Sequence, residues 1–161
     1  MSTAMLMVMA AAANAAGPPR YWRVRIVSVT AQAITNGYTA MSEVQMAAST
    51  GGATVLPTSI TATSSLGPSN GTDKLVDNNV NSLWASNGTT MPQDIVLDFV
   101  GGLGVREVRL GQSGSPTAFS PVAVEFAYSR DASTWTTVGN VSNFSTAVGA
   151  NAIGAFAIPA V

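Results

Sequence analysis

The stretch KLVDNNVNSLWAS, Lys74 to Ser86, gathers one aspartate and a crowd of small amides and hydroxyls ahead of a tryptophan, in a chain otherwise poor in charge. Two chemistries suit such a turn. It can aim several oxygens at a hard cation, since Ca²⁺ takes about 6–8 oxygen ligands in a flexible shell. It can equally satisfy itself, with Asp77 capping nearby backbone amides as Asp and Asn commonly do. The residues alone leave both readings open.

The rest of the chemistry is bounded by what the chain lacks. Its 161 residues contain neither His nor Cys, which removes the commonest general base, the thiol nucleophile and the usual zinc and copper ligand sets. Charged residues make up 9% and the formal net charge is −1, so there is no basic stripe to neutralise a phosphate backbone, and nucleic-acid binding is excluded. Arg106, Glu107, Arg109 and Glu125 alternate with apolar residues and are expected on a solvated sheet face with cross-strand pairs. A carboxylate pair acting as acid and base would need a cleft that so small a protein has little material to build. No enzyme is expected.

The elements that must position these residues are strands. The length fits one domain. From Tyr21 the apolar period is two: YWRVRIVSV sets Trp22, Val24 and Ile26 against Arg23 and Arg25, the pattern of a half-buried strand. TNGYT carries an Asn36–Gly37 turn signal. SEVQMAAS reads as a strand and STGGATV as a turn, and QDIVLDF, VREVRLG, AVEFAYS and TWTTV follow as short strands between Gly, Pro, Asn and Ser clusters. That spacing predicts an all-β sandwich or jelly roll, with Trp84 and Trp135 as core aromatics and Trp22 in the core or an interface.

Residues 1–16, MSTAMLMVMAAAANAA, stand apart, and Gly17-Pro18-Pro19 ends any helix they form. No Lys or Arg stands near the start, as a secretory leader would require, and a membrane span needs about 20 apolar residues. The expected role is a short helical or extended segment packing on its own domain or on neighbouring subunits. The expected division is therefore an assembly segment and linker over 1–19 and a sandwich over 20–161.

The order DNNVNSLWAS, PQDIVLDF, VREVRL, PVAVEFAYSRDASTWTTV resembles the discoidin domain, also called the coagulation-factor type C domain, a galactose-binding-like β-sandwich. In that family an Asp-Gly-Asn type turn leads to Ser or Thr and then Trp, a strand ends in Asp-Leu-Gly, and a later strand reads "v.yS.Dg..W". The matching places here are Asp77, Ser82 and Trp84; Leu97, Asp98 and Phe99; and Tyr128, Ser129, Arg130, Asp131 and Trp135. The family's closing pattern is split: its first half resembles AFAIP at Ala155 to Pro159, while its second half resembles RYWRVRI and AMSEVQM near the start. This resembles a circular permutation, which implies that the strand of Trp22 lies beside that of Phe156. Domains rearranged in this way are similar to modules of bacteriophage virion proteins of tail and capsid.

The resemblance implies a structural Ca²⁺ held by the Asp77 carboxylate, the carbonyls of Lys74 and Asn79, the hydroxyl and carbonyl of Ser82, and Glu43 with the Ser42 carbonyl beside it. Asn78 stands where the family has Gly. Carbohydrate sites in the fold lie on loops at one end of the sandwich; the matching loops, Ser64–Asn70, Ala85–Pro92 and Gly111–Phe119, offer Asn70, Asn87, Gln112 and Phe119. Leu66 and Met91 lack the basic neighbours of membrane-binding members. The expected function is a non-enzymatic virion surface module (capsid decoration, head fibre or tail accessory) with glycan adhesion, joined to other virion subunits or to its own copies through residues 1–16. The alternative is a secreted or cell-surface lectin-like module, placed extracellularly.

Overall fold

The computed structural model describes residues 17–112, 114 and 118–161; the expected assembly segment, 1–16, lies outside them. Eleven strands among the described residues form a sandwich. One sheet has the order β10 (Thr136–Val141), β9 (Pro121–Ser129), β1 (Tyr21–Val29), β7 (Gln93–Asp98), β5 (Ser59–Ala62). The other has the order β11 (Ala152–Ala157), β8 (Glu107–Gln112), β3 (Glu43–Ala47), β4 (Thr54–Val55). A short pair, β2 (Ala40–Met41) with β6 (Trp84–Ala85), closes one end. All pairings between strands are antiparallel. The described residues include no helix long and apolar enough to cross a membrane.

The alternation of β1 builds the core. Trp22, Val24 and Ile26 are fully buried against Val44, Met46, Val108 and Leu110 of the opposite sheet and Ile95, Leu97, Val124 and Phe126 of their own. Burial of each such aliphatic side chain contributes about 1.5–3 kcal/mol. Trp22 Nε1 donates to the Leu103 carbonyl at 2.8 Å, so the indole is buried without an orphaned donor. Trp84, the tryptophan of the opening stretch, is also fully buried and donates to the Ser64 carbonyl at 3.2 Å.

Several expectations are corrected. Trp135 is only half-buried and lies outside the core, with the Arg23 guanidinium 4.5 Å from its ring centre; the pair covers the outer face of β1. Asn36–Gly37 is no hairpin turn but the end of helix α1 (Ala31–Asn36), which Thr30 caps through its hydroxyl and Gly37 stops in the left-handed region at φ 80°. The strand of Trp22 does not neighbour that of Phe156. β1 is flanked on both edges by β7 and β9, which leaves no edge for β11; β11 pairs with β8 in the opposite sheet. Glu107 is not solvated either: it accepts from Arg109 Nε at 2.6 Å and from the Gly51 N–H at 3.1 Å beneath the 49–52 turn.

The turn after β9 shows what a local departure costs. Asp131 Oδ1 accepts from the Ser129 hydroxyl and from the Ser133 and Thr134 amides at 2.8–2.9 Å, and the Thr134 and Ser133 amides, then the hydroxyls, hold its carboxyl far below the usual range. Because folding depresses this pKa, the stability it confers is present above the unfolded value of about 3.9 and is lost as pH falls further. Asp131→Asn is expected to lower the unfolding midpoint at neutral pH and to match the wild type in strong acid, as urea melts across pH will show. Ala132 occupies the family's Gly position at φ 61°, a region costly for a residue with a Cβ. Ala132→Gly is expected to stabilise the protein by about 0.5–1 kcal/mol in the same melts, the relief of strain outweighing the entropy lost by glycine.

Candidate functional site

The Asp77 turn is fastened to the strand of Glu43. A 3₁₀ turn, Thr72–Leu75, delivers the chain with Leu75 buried beneath it, and Asn78 then takes the left-handed conformation at φ 57°. Asparagine tolerates that region better than most side chains, so the family's Gly is replaced at little cost. The Asn79 N–H, set by this geometry, donates to Glu43 Oε1 at 2.6 Å and to Asp77 Oδ1 at 3.0 Å. Two carboxylates thus converge on one donor. The Ser82 hydroxyl contacts both Asp77 oxygens at 2.9 and 2.7 Å and the Asn79 carbonyl at 2.9 Å.

Glu43 is fully buried. Burial pushes its carboxyl above the ordinary range, the bonds from Asn79 and Gln45 oppose the shift, and the charge of Asp77 adds to it. Among the described residues no Lys or Arg ion-pairs with Glu43 or Asp77: the Lys74 ammonium pairs with Asp73 at 2.8 Å instead. A pair of facing carboxylates with hydroxyl and carbonyl oxygens around it, and no nitrogen or sulfur ligand, is the donor set of a hard cation. These residues fit Ca²⁺. Among the described residues no three or more His, Cys, Asp or Glu are grouped so that they could hold a metal ion, so most ligands here would be neutral oxygens.

Of the residues proposed for the cation, Asp77, Glu43, Asn79 and Ser82 are joined directly by hydrogen bonds. Lys74 directs its side chain elsewhere, leaving its carbonyl as the group that counts. Ser42 precedes Glu43 with its hydroxyl buried and unpaired. Behind Glu43 runs a polar chain that the sequence did not announce. Gln45 Nε2 donates at 3.3 Å to both Glu43 Oε2 and Asn78 Oδ1, Thr54 Oγ1 donates to Gln45 Oε1 at 3.2 Å, and Arg109 contacts Thr54, the Gly52 carbonyl and Glu107. Gln45, Thr54 and Arg109 share one outward face through the register Gln45↔Arg109 and Ala47↔Thr54; only knowledge of strand pairing could have found them. Gly111 faces Glu43 in that register, and a Cβ there would fall 2.8 Å from the Glu43 nitrogen and 2.7 Å from its Cβ. Gly111→Ala is expected to cost about 1–3 kcal/mol by forcing β3 and β8 apart, read as a lower denaturant midpoint.

The proposed glycan residues do not form one site. Asn70 is committed to the Leu83 carbonyl at 3.2 Å. Gln112 points inside the sandwich, 1% exposed and with neither carboxamide atom bonded. Asn87 is exposed. Phe119 stacks on Tyr38 with ring centres 4.6 Å apart and planes 11° from parallel, and Tyr38 bridges to Gly88 beside Asn87. Tyr38 lies just past Asn36–Gly37, and no local pattern in the sequence pairs it with Phe119.

Two packed antiparallel sheets with a polar turn pinned to a strand at one side define an all-β sandwich. The sequence model of the F5/8 type C domain matches residues 59–155, and the chain belongs to that family. Neither the curated proteins nor the solved structures yield a match.

Proposed function

We propose that this chain is a non-enzymatic attachment module stiffened by one structural Ca²⁺ at the Asp77 turn, and that it serves on a bacteriophage virion surface. The observation that carries the cation reading is the convergence of the buried Glu43 carboxylate and the exposed Asp77 carboxylate on the Asn79 N–H. Bound there, a divalent cation would supply the positive charge the pair lacks; Asp77, Glu43, Ser82 and the carbonyls of Lys74, Asn79 and Ser42 would hold it. Its effect is mechanical, since it ties a loop to a central strand. Glycan adhesion, in this reading, falls to the Tyr38–Phe119 pair and Asn87.

The virion reading takes the chain as a circular permutation of the family's order. β1 and β3 are internal strands of the two sheets, yet both precede the family match. Pro19 accepts from the Leu103 N–H and Ile158 donates to the Arg106 carbonyl, each at 2.8 Å, so the two ends of the described domain dock on one connector, an arrangement that a permutation would use. The Ala- and Met-rich residues 1–16 supply an assembly segment. Light scattering on the full chain and on residues 17–161 tests this role. A defined oligomer or particle-bound form that loses subunits on truncation, down to a dimer or a monomer, supports it; folded proteins with the same subunit number before and after truncation refute it and leave the secreted or cell-surface lectin-like reading.

A further inference from the structure

β11 ends its sheet, and no strand among the described residues lies on its outer edge. Its register with β8 runs from Ala152↔Gln112 to Ala157↔Glu107, and the next pair is bonded by the Ile158 N–H to the Arg106 carbonyl. Bonded pairs alternate in an antiparallel ladder. The even-numbered residues 152, 154 and 156 therefore spend their backbone groups on β8, while Ile153, Ala155 and Ala157 turn theirs outward.

Such an edge is normally blunted by a charge, a proline, a bulge or brevity. β10 has a bulge between Thr137 and Gly139, β4 has two residues and β5 four. β11 has six residues, AIGAFA, with no charge, no proline and no break in register. Its outward side chains, Ile153, Ala155 and Ala157, are exposed.

We infer that β11 is a homodimer seam, pairing antiparallel with β11 of a second copy about a twofold axis at Ala155. That axis sets Ala155 opposite itself and Ile153 opposite Ala157, so each outward N–H meets an outward carbonyl. Only small or apolar side chains then adjoin, and two copies of net charge −1 repel weakly. The two four-stranded sheets become one of eight. This seam is independent of residues 1–16.

The test is the solution mass of the full chain across a dilution series, with amide hydrogen exchange on the same samples. The wild type is expected to form a species of twice the mass, with the Ile153, Ala155 and Ala157 amides protected only in that species. Ala155→Pro removes an outward N–H that β8 does not use, and an edge strand tolerates proline; Ala155→Lys places a charge at the axis. Both variants are expected to halve the mass while circular dichroism stays unchanged. A monomeric wild type, unprotected edge amides in the heavier species, or an unchanged mass in a folded Ala155→Lys variant would each overturn the inference.

Discussion

Trp22→Ala is expected to destabilise the domain by about 3–5 kcal/mol, the range for removing a large aromatic from a core. Two losses combine. The side chain is fully buried between the sheets, and its removal leaves a cavity that flanking strands, held by ladders on both edges, cannot collapse to fill. It also strands the Leu103 carbonyl, which accepts the indole N–H at 2.8 Å. Trp22→Phe separates the two: it keeps most of the volume but not the donor, and should cost about 1–3 kcal/mol, the penalty of a buried acceptor left unpaired. Urea unfolding followed by Trp84 and Trp135 fluorescence reads both values. A loss below 1 kcal/mol for Trp22→Ala would mean that the sheets do not pack through this residue.

The second large effect changes sign with calcium. In chelator, Glu43→Gln is expected to be as stable as the wild type or more so at neutral pH, because it removes a buried carboxylate that no cationic side chain pairs. The wild-type carboxyl has its pKa raised by burial, so the folded state binds the extra proton; its stability contribution is intact below the unfolded pKa of about 4.3 and declines as pH rises through the folded value. The trend is opposite to that of Asp131. With calcium at about 100 times its dissociation constant the wild type gains about 2.7 kcal/mol, as mass action requires for a ligand that binds only the folded state. Glu43→Gln and Asp77→Asn gain little, so the wild type becomes the most stable of the three. Paired thermal melts in chelator and calcium give the comparison; equal calcium shifts in all three proteins would remove Glu43 and Asp77 from the site.

What the sequence disclosed follows the range of each interaction. The alternation of YWRVRIVSV carries β1 and its buried face because period-two burial is a local property. The Asp77 turn and its tie to Glu43 were legible through family motifs, not spacing, since 34 positions separate residues that meet at one N–H. Asn36–Gly37 misled because an Asn-Gly pair suits a helix end as well as a hairpin, and Thr30 decides the matter six residues upstream. Trp135 reads as core by type, yet Arg23, brought over it by the neighbouring strands, gives its ring a partner at the surface. Gln112 looked like a loop amide, but the alternation of β8 with Val108 and Leu110 turns it inward. The Gln45–Thr54–Arg109 chain exists only through cross-strand register, which no local pattern encodes.

The most direct test of the central claim is calorimetric titration of Ca²⁺ into the full chain stripped with chelator, beside Asp77→Asn. One saturable site per chain in the wild type and none in the variant is the predicted result. Absence of saturable binding in a folded wild-type protein, or undiminished binding by Asp77→Asn, would contradict it and make the Asp77 turn a self-capped loop.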